Sequence, residues 1–207
     1  MDIDICCENI FMARGLREGL PLIYLNRHPG LKLNIVVIPG DSLSHIRWMA
    51  GFCIRRLKEP TVLLGTEMQL RIMKGLVDPV YVQLLNSQVS MQTLWHESIW
   101  FSQGFYQRNG NVSAEKVMHS LPESLYRNLE LLETLFNKDG TMTKYESAQK
   151  NRVRNFLGVH STCEMFVKYQ VIREMTEMQE RVRQREARRQ KVGRDVKFFL
   201  SDNFFAA

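Results

Sequence analysis

The chain has little cysteine, and its four cysteines form neither a metal motif nor a redox motif. Cys6 and Cys7 are adjacent, whereas Cys53 and Cys163 stand alone. This spacing matches no CxxC pair of a zinc or redox site and no disulfide-rich framework. We therefore predict a reducing compartment, the cytoplasm or the nucleus, with thiols that are mostly buried.

Long apolar runs and targeting signals are also missing from the sequence. No stretch approaches the roughly 18 uninterrupted apolar residues that a membrane-spanning helix requires. The N-terminus MDIDICCENIF starts acidic and lacks the basic and then apolar order of a secretory signal. The sequence therefore predicts no membrane partner.

Phosphate-binding loops and metal-ligand clusters are absent as well. Neither GxxxxGK(S/T) nor GxGxxG occurs, which argues against nucleotide hydrolysis and dinucleotide chemistry. His28, His45 and His119 have no Cys or carboxylate at metal-ligand spacing. We predict neither a metal nor an organic cofactor.

The overall composition is that of a folded protein. Hydrophobic residues make up 44% and charged residues 24% of the 207 positions, as in globular rather than disordered chains. This length supports one substantial core, and no internal repeat or low-complexity linker divides it. We predict one domain over 1–207, with an α/β part (1–90), a helical part (91–192) and an apolar tail (193–207).

The first 86 residues alternate short β-rich runs with helical stretches. Strands are predicted at 22–25, 33–38, 62–64 and 80–85, and helices at 44–57 and 67–74. Thr66 and Gln69 form a capping-box pattern at the start of the second helix. Strands that alternate with helices indicate the α/β class, with a mostly parallel sheet covered by helices.

The sequence after residue 90 predicts helices alone. They lie at 91–106, at 113–120 and 122–136, after the capping box at 143–146, and after the capping box at 161–164. We expect Gly193 to end the last helix. The aromatic cluster at 95–106 would either stack bases or bind a peptide, or form the core of the helical part, which we favour.

A partial resemblance to a hydrolase family begins at NIVVIPGDSLSHI, residues 34–46. A strand that ends in Gly-Asp-Ser-Leu resembles the first block of the SGNH (GDSL) hydrolases, and Gly158-Val-His160 resembles the block that delivers their catalytic histidine. The resemblance implies an SGNH-like fold and a serine esterase, with Ser42 as nucleophile and His160 as base.

Two positions depart from that family, and a simpler interpretation stays open. The family's oxyanion-hole Asn falls at Glu67, and its histidine-orienting carboxylate falls at Leu157. In the simpler interpretation, Asp41 or Ser42 caps the helix that follows, and a capping box at 161–164 starts the last helix with the histidine just outside it. An enzyme is therefore the less favoured outcome.

Positive charge is concentrated near one end of the chain. Residues 181–197 carry eight Lys and Arg side chains against two acidic ones, which is the whole net charge of +6. Like charges repel on a helix, and contact with phosphates relieves this repulsion while releasing counterions. The alternatives are a solvated helix tip or a localisation signal. The predicted nucleic-acid contacts are Arg181, Arg183, Arg185, Arg188, Arg189, Lys191 and Arg194.

The last residues are unusually apolar. Phe198, Phe199, Phe204 and Phe205 are predicted to fold back onto the core or to dock on a partner. The sequence as a whole predicts a non-catalytic binding protein that contacts RNA or another polyanion through a basic helix. Self-association or a protein partner is a further expectation, and an SGNH-type esterase, active or degenerate, is the alternative.

Overall fold

The computed structural model describes residues 2–19, 31–40, 45–55, 57–109, 130–131, 133–134 and 142–202, and side chains in the last helix up to residue 188. In these residues four strands form one parallel sheet in the order β1-β2-β3-β4. Their bounds are β1 (Asp2–Cys6), β2 (Lys32–Val37), β3 (Thr61–Gly65) and β4 (Val82–Asn86).

Six described helices accompany the sheet. The first four alternate with the strands, as the α/β class requires, and the last two follow them. The helices are α1 (Ile10–Glu18), α2 (Ile46–Cys53), α3 (Glu67–Met73), α4 (Met91–Asn109), α5 (Lys144–Phe156) and α6 (Thr162–Asp202).

The strand side chains divide the core into two layers, because successive residues of a strand point to opposite faces. On one face, Leu33 and Val62 pack with Trp95 of α4 and with α1. On the other face, Leu63 and Val82 pack with α2, α3, α5 and α6. Every residue of β3 is buried, as expected for a central strand that helices cover on both sides.

Side-chain caps fix where several helices begin. Thr66 accepts from the Gln69 amide at 3.4 Å, and Gln69 Oε1 accepts from the Thr66 amide at 2.9 Å. Thr143 forms the same reciprocal box at the start of α5. The Asn9 side chain accepts from the two backbone amides at 11 and 12, at 3.0 and 3.1 Å. Each cap satisfies amides that the first helical turn leaves unpaired.

The predicted fold class is confirmed, since a parallel sheet precedes a helical C-terminal part. The strands predicted at 33–38, 62–64 and 80–85 and the helix at 67–74 lie within two residues of β2, β3, β4 and α3. The sequence interpretation missed β1 and α1. The strand predicted at 22–25, the helix at 113–120 and most of 122–136 lie outside the described residues.

Two local predictions were wrong. Helix α6 continues through Gly193 to Asp202. Asp41 and Ser42, the predicted cap residues of the helix that follows them, lie outside the described residues. Of the cysteines, only Cys53 is buried, whereas Cys6 and Cys163 are exposed and Cys7 is partly exposed. The apolar environment that was predicted for most of the thiols is therefore confined to one.

Among the described helices, none is long and apolar enough to cross a membrane. The same residues contain no group of three His, Cys, Asp or Glu side chains placed to hold a metal ion.

Candidate nucleic-acid interface

The base of α6 is anchored in the core. The helix is 41 residues long, about 60 Å at the usual rise per residue. Its first half packs against α2 and α3. Apolar residues three and four apart form the buried stripe of the helix; among them are Met165, Tyr169, Ile172 and Met175.

A buried lysine ties α6 to two other helix ends. Lys168 is 3% exposed, and its Nζ donates to the carbonyls of Lys74 and Leu157 at 2.7 Å and of Arg71 at 3.2 Å. These carbonyls belong to the last turns of α3 and α5, where backbone acceptors lack partners within the helix. Burial lowers the pKa of Lys168 to about 8. Burial also raises the pKa of the nearby Cys53 thiol to about 12.

An ion-pair cluster fixes the start of α6 against α3. The guanidinium of Arg71 donates to both carboxylate oxygens of Glu164, at 2.7 and 3.2 Å, and to Glu67 at 2.6 Å. Glu164 also accepts from the His160 backbone amide at 2.8 Å. The hydrogen bond from Arg71 is the main reason that the pKa of Glu164 lies below its ordinary value. The cluster therefore sets the direction in which α6 leaves the core.

Beyond Glu180 the helix loses its contact with the core. Every residue from 181 to 188 is exposed, and the last buried residue of α6 with a described side chain is Gln179. Among the described residues, the polar contacts of this stretch lie within the helix itself, from Arg181 to Glu177 and from Gln184 to Glu180, both at 3.2 Å. The stretch is therefore a helical projection that the folded body does not support.

Four of the seven predicted nucleic-acid contacts have described side chains, and the structure brings them together on this projection. Arg181, Arg183, Arg185 and Arg188 are all exposed. Within the described residues, the last three form no ion pair. The backbone of Arg189, Lys191 and Arg194 continues the same helix, so all seven residues belong to one helical segment. We call residues 181–197 the basic segment.

Two of the four phenylalanines predicted to bind a partner have a described backbone, at the far end of α6. Phe198 and Phe199 belong to the helix, about 26 Å beyond residue 181 at the usual rise. Phe204 and Phe205 lie outside the described residues. Because the surroundings of residues 198 and 199 lie outside the described side chains, the two predicted outcomes, folding back onto the core and docking on a partner, both stay open.

The proposed esterase residues do not form a described catalytic group. Ser42 lies outside the described residues, and His160 is exposed. No described carboxylate lies within 4 Å of the His160 ring nitrogens as an ion pair. Leu157, at the position of the family's orienting carboxylate, is buried, and Glu67, at the position of its oxyanion-hole Asn, pairs with Arg71.

The aromatic cluster of α4 is divided between the core and the surface. Trp95 is 1% exposed and Phe105 is 7% exposed, whereas Trp100 is 67% exposed. Phe105 packs edge-to-face with Tyr81, with ring centroids 5.0 Å apart. Most of the cluster therefore serves the core, and a continuous stacking surface for bases is not formed by these residues.

Sequence reasoning missed the side chains that hold the base of α6. Glu164 was predicted only as part of a capping box, and its backbone amide does donate to the Ser161 hydroxyl oxygen at 3.1 Å. Its second role, as the acceptor for Arg71, joins residues 93 positions apart. Lys168 gave one local signal, a cation within an otherwise buried stripe, which indicates that a buried acceptor must be nearby.

Comparison with known proteins adds no family to these observations. No family model, no curated protein and no solved structure matches the chain. The candidate interface therefore depends on its own geometry: a helix anchored at its base, with a basic segment that projects from the folded body.

Proposed function

We propose that the protein binds RNA or a related polyanion through the basic segment of α6. The observation that carries the proposal is the exposure of every residue from 181 to 188 on a helix whose base is buried. A helix of this kind presents its cations to a ligand without rearrangement of the core.

Phosphate is the ligand group that best fits the segment. Arg guanidinium groups bind phosphate oxygens with two parallel hydrogen bonds, and each contact releases condensed counterions. The arginines repel one another along the helix, and neutralisation by phosphates removes that repulsion. Cations on several faces of the helix suit a ligand that surrounds or follows it, such as the backbone of a folded RNA.

The test is a measurement of RNA affinity as a function of salt. We would measure fluorescence anisotropy of a labelled 20-nucleotide single strand and of a 20-base-pair duplex between 50 and 300 mM salt. Log Kd is expected to rise linearly with log salt. Replacement of Arg183, Arg185 and Arg188 by Glu should weaken binding at least tenfold at low salt and reduce the slope by about 2.

A matched control separates a local interface from general attraction. Lys58, Arg108 and Arg152 are exposed cations outside α6, and their replacement by Glu changes the net charge by the same amount. This control variant should retain more than half of the wild-type slope. Equal losses in both variants, or a wild-type affinity that does not depend on salt, would disprove the proposal.

The esterase alternative has a separate test. If Ser42 is a nucleophile, wild-type protein should hydrolyse p-nitrophenyl acetate above the buffer rate, and Ser42→Ala should abolish that turnover. No described geometry favours this activity over polyanion binding, so we expect both proteins to stay at the buffer rate.

A further inference from the structure

Among the described strands, β4 lies at one edge of the sheet, and half of its backbone groups face away from β3. The amide of Thr61 donates to the Tyr81 carbonyl, and the amide of Ser87 donates to the Gly65 carbonyl. In a parallel ladder this pattern directs the backbone groups of Val82, Leu84 and Asn86 outward. The sheet therefore presents a row of donors and acceptors on that side.

Within the described residues, most of that outward row has no partner. Two of its groups are used: the Val82 amide donates to the Asp78 carbonyl at 2.9 Å, and the Asn86 carbonyl accepts from Val89 at 3.2 Å. No described backbone group pairs with the Leu84 amide, the Leu84 carbonyl, the Val82 carbonyl or the Asn86 amide. An edge with such groups is a template for another strand.

An apolar groove lies beside this edge. It has a volume of about 650 Å³ and runs between α3 and β4. Val82 and Leu84 line it from the strand, Leu70 lines it from the helix, and Val77 and Pro79 line it from the connection between them. Glu67, Arg71 and Lys74 also line the groove.

The groove and the edge are placed to bind the same ligand. The side chains of Val82 and Leu84 point to the face of the sheet that α3 covers. A strand added beside β4 would direct every second side chain to that face, and these side chains would enter the groove. Backbone pairing would supply affinity, and the groove would select the side chains.

We propose that the β4 edge and the adjoining groove bind an extended peptide of another protein, apolar at alternate positions and with a carboxylate that meets Lys74. The unpaired backbone groups indicate a ligand in the extended conformation, and the apolar lining indicates that every second residue of this ligand is apolar. This inference is independent of the proposed polyanion binding, because none of the basic segment lines the groove.

The charges of the groove explain the choice of an acidic residue. Arg71 is already paired with Glu67 and Glu164. Lys74 is exposed, and within the described residues its side chain has no ion-pair partner. Because α3 runs from the carboxyl ends of the strands back to their amino ends, Lys74 lies near the amino end of β4. A peptide carboxylate at that end would form an ion pair with Lys74.

The test uses two synthetic peptides with opposite placement of the acid. One is Lys-Val-Thr-Val-Thr-Glu-Thr-Lys, which fits an antiparallel added strand, and the other is its reverse, Lys-Thr-Glu-Thr-Val-Thr-Val-Lys, which fits a parallel one. Amide hydrogen exchange of the full chain would be followed by NMR with each peptide in excess. Binding of either peptide should slow exchange at Leu84 and Asn86 at least tenfold, since only their amides lack a partner in the free edge.

Variants of the peptide and of the protein make the test specific. N-methylation of the alternate peptide residues that face β4 should abolish binding, whereas N-methylation of the other residues should leave it unchanged. Lys74→Glu should weaken binding about fivefold or more. Lys58→Glu, an equal charge change outside the groove, should leave the affinity within twofold of wild type.

Three results would overturn the inference. The first is no change in exchange at Leu84 and Asn86 with either peptide at millimolar concentration. The second is equal binding of both N-methylated peptides, which would indicate contact with the groove without strand pairing. The third is concentration-dependent protection of these amides in the peptide-free protein together with a dimeric mass, which would assign the edge to a second copy of the chain.

Discussion

At the scale of single residues, Lys168 shows how a charged side chain is kept inside this core. Its ammonium group replaces the lost water with three backbone carbonyls from the ends of α3 and α5. Burial of a cation is unfavourable, but unpaired buried carbonyls are unfavourable too. Because one ammonium group donates to three backbone carbonyls, the buried lysine is less unfavourable than its burial alone suggests.

The Lys168→Met variant tests this arrangement. Methionine is similar in length and fills the space, but it donates no hydrogen bond. We expect the free energy of unfolding at pH 7 to fall by about 2 kcal/mol, because the carbonyls left without a donor outweigh the relief from removing a buried charge. Lys58→Met, on the surface, should change it by less than about 0.5 kcal/mol. Urea denaturation provides the measurement.

The difference in stability between wild type and Lys168→Met should also depend on pH. The pKa of Lys168 is about 8 in the folded chain, below its ordinary value of 10.5, which applies to the unfolded chain. Between these values the unfolded state binds more protons, so the free energy of unfolding rises with pH. Relative to Lys168→Met, wild type should gain up to about 3 kcal/mol between pH 7 and pH 10.5. A constant difference across this range would contradict the lowered pKa.

At the scale of secondary-structure elements, the Arg71–Glu164 pair joins α3 to the first turn of α6. Glu164 is largely buried and receives three hydrogen bonds, two from Arg71 and one from the backbone of His160. Glu67 contacts the same guanidinium from an exposed position one turn away. The two carboxylates therefore share a partner but differ in burial.

This difference predicts unequal effects of two matched substitutions. Glu164→Gln should lower the free energy of unfolding more than Glu67→Gln does, because it removes the buried carboxylate that is the main counter-charge of Arg71. Glu67→Gln should cost less than about 1 kcal/mol, as for other exposed pairs. Because the pKa of Glu164 is lowered in the folded chain, its contribution to the free energy of unfolding is lost only as the pH falls below the ordinary carboxyl range. Thermal melts of wild type and both variants at pH 7 and pH 4 would measure these effects. Equal destabilisation by the two substitutions at pH 7 would refute the prediction.

Local chemistry decided which elements could be predicted from the sequence. The caps at Thr66 and Thr143 mark helices because the signal lies within four residues. Strand β1 was missed because Asp2, Asp4 and Cys6 are exposed on it, so it lacks the apolar run of a buried strand. Gly193 was expected to end α6, but the few-tenths to about 1 kcal/mol that a single Gly costs does not break a helix of strong helix formers.

At the scale of the whole molecule, the described side chains of the basic segment, from 181 to 188, are exposed rather than packed on the folded body. The candidate ligand contacts Arg181 to Arg194 were predictable because charge runs are visible in sequence. The anchoring of the helix base was not predictable, because Arg71 and Lys74, which bind Glu164 and Lys168, lie on α3 about 90 residues earlier in the chain. The edge of β4 was also beyond prediction, since strand order follows from tertiary packing.

Truncation after Glu180 tests the separation of the two parts. The last buried residue of α6 with a described side chain is Gln179, so the shortened protein should keep its cooperative unfolding and lose less than about 1 kcal/mol of stability. Its salt-dependent affinity for RNA should fall at least tenfold. Calorimetry and anisotropy of the same preparation measure both properties. Loss of cooperative unfolding would show that the segment stabilises the body.

The exposed arginines of the projection have a further consequence, for proteolysis. Trypsin-like proteases cut after Arg and Lys and need the chain to open locally, which a helix without tertiary contacts does at little cost. The stretch from 181 to 188 therefore offers several cleavage sites outside the packed part of the described chain. A cut after Arg181 would separate the rest of the basic segment from the core, so that proteolysis would remove most of the proposed polyanion contacts while the core stays folded.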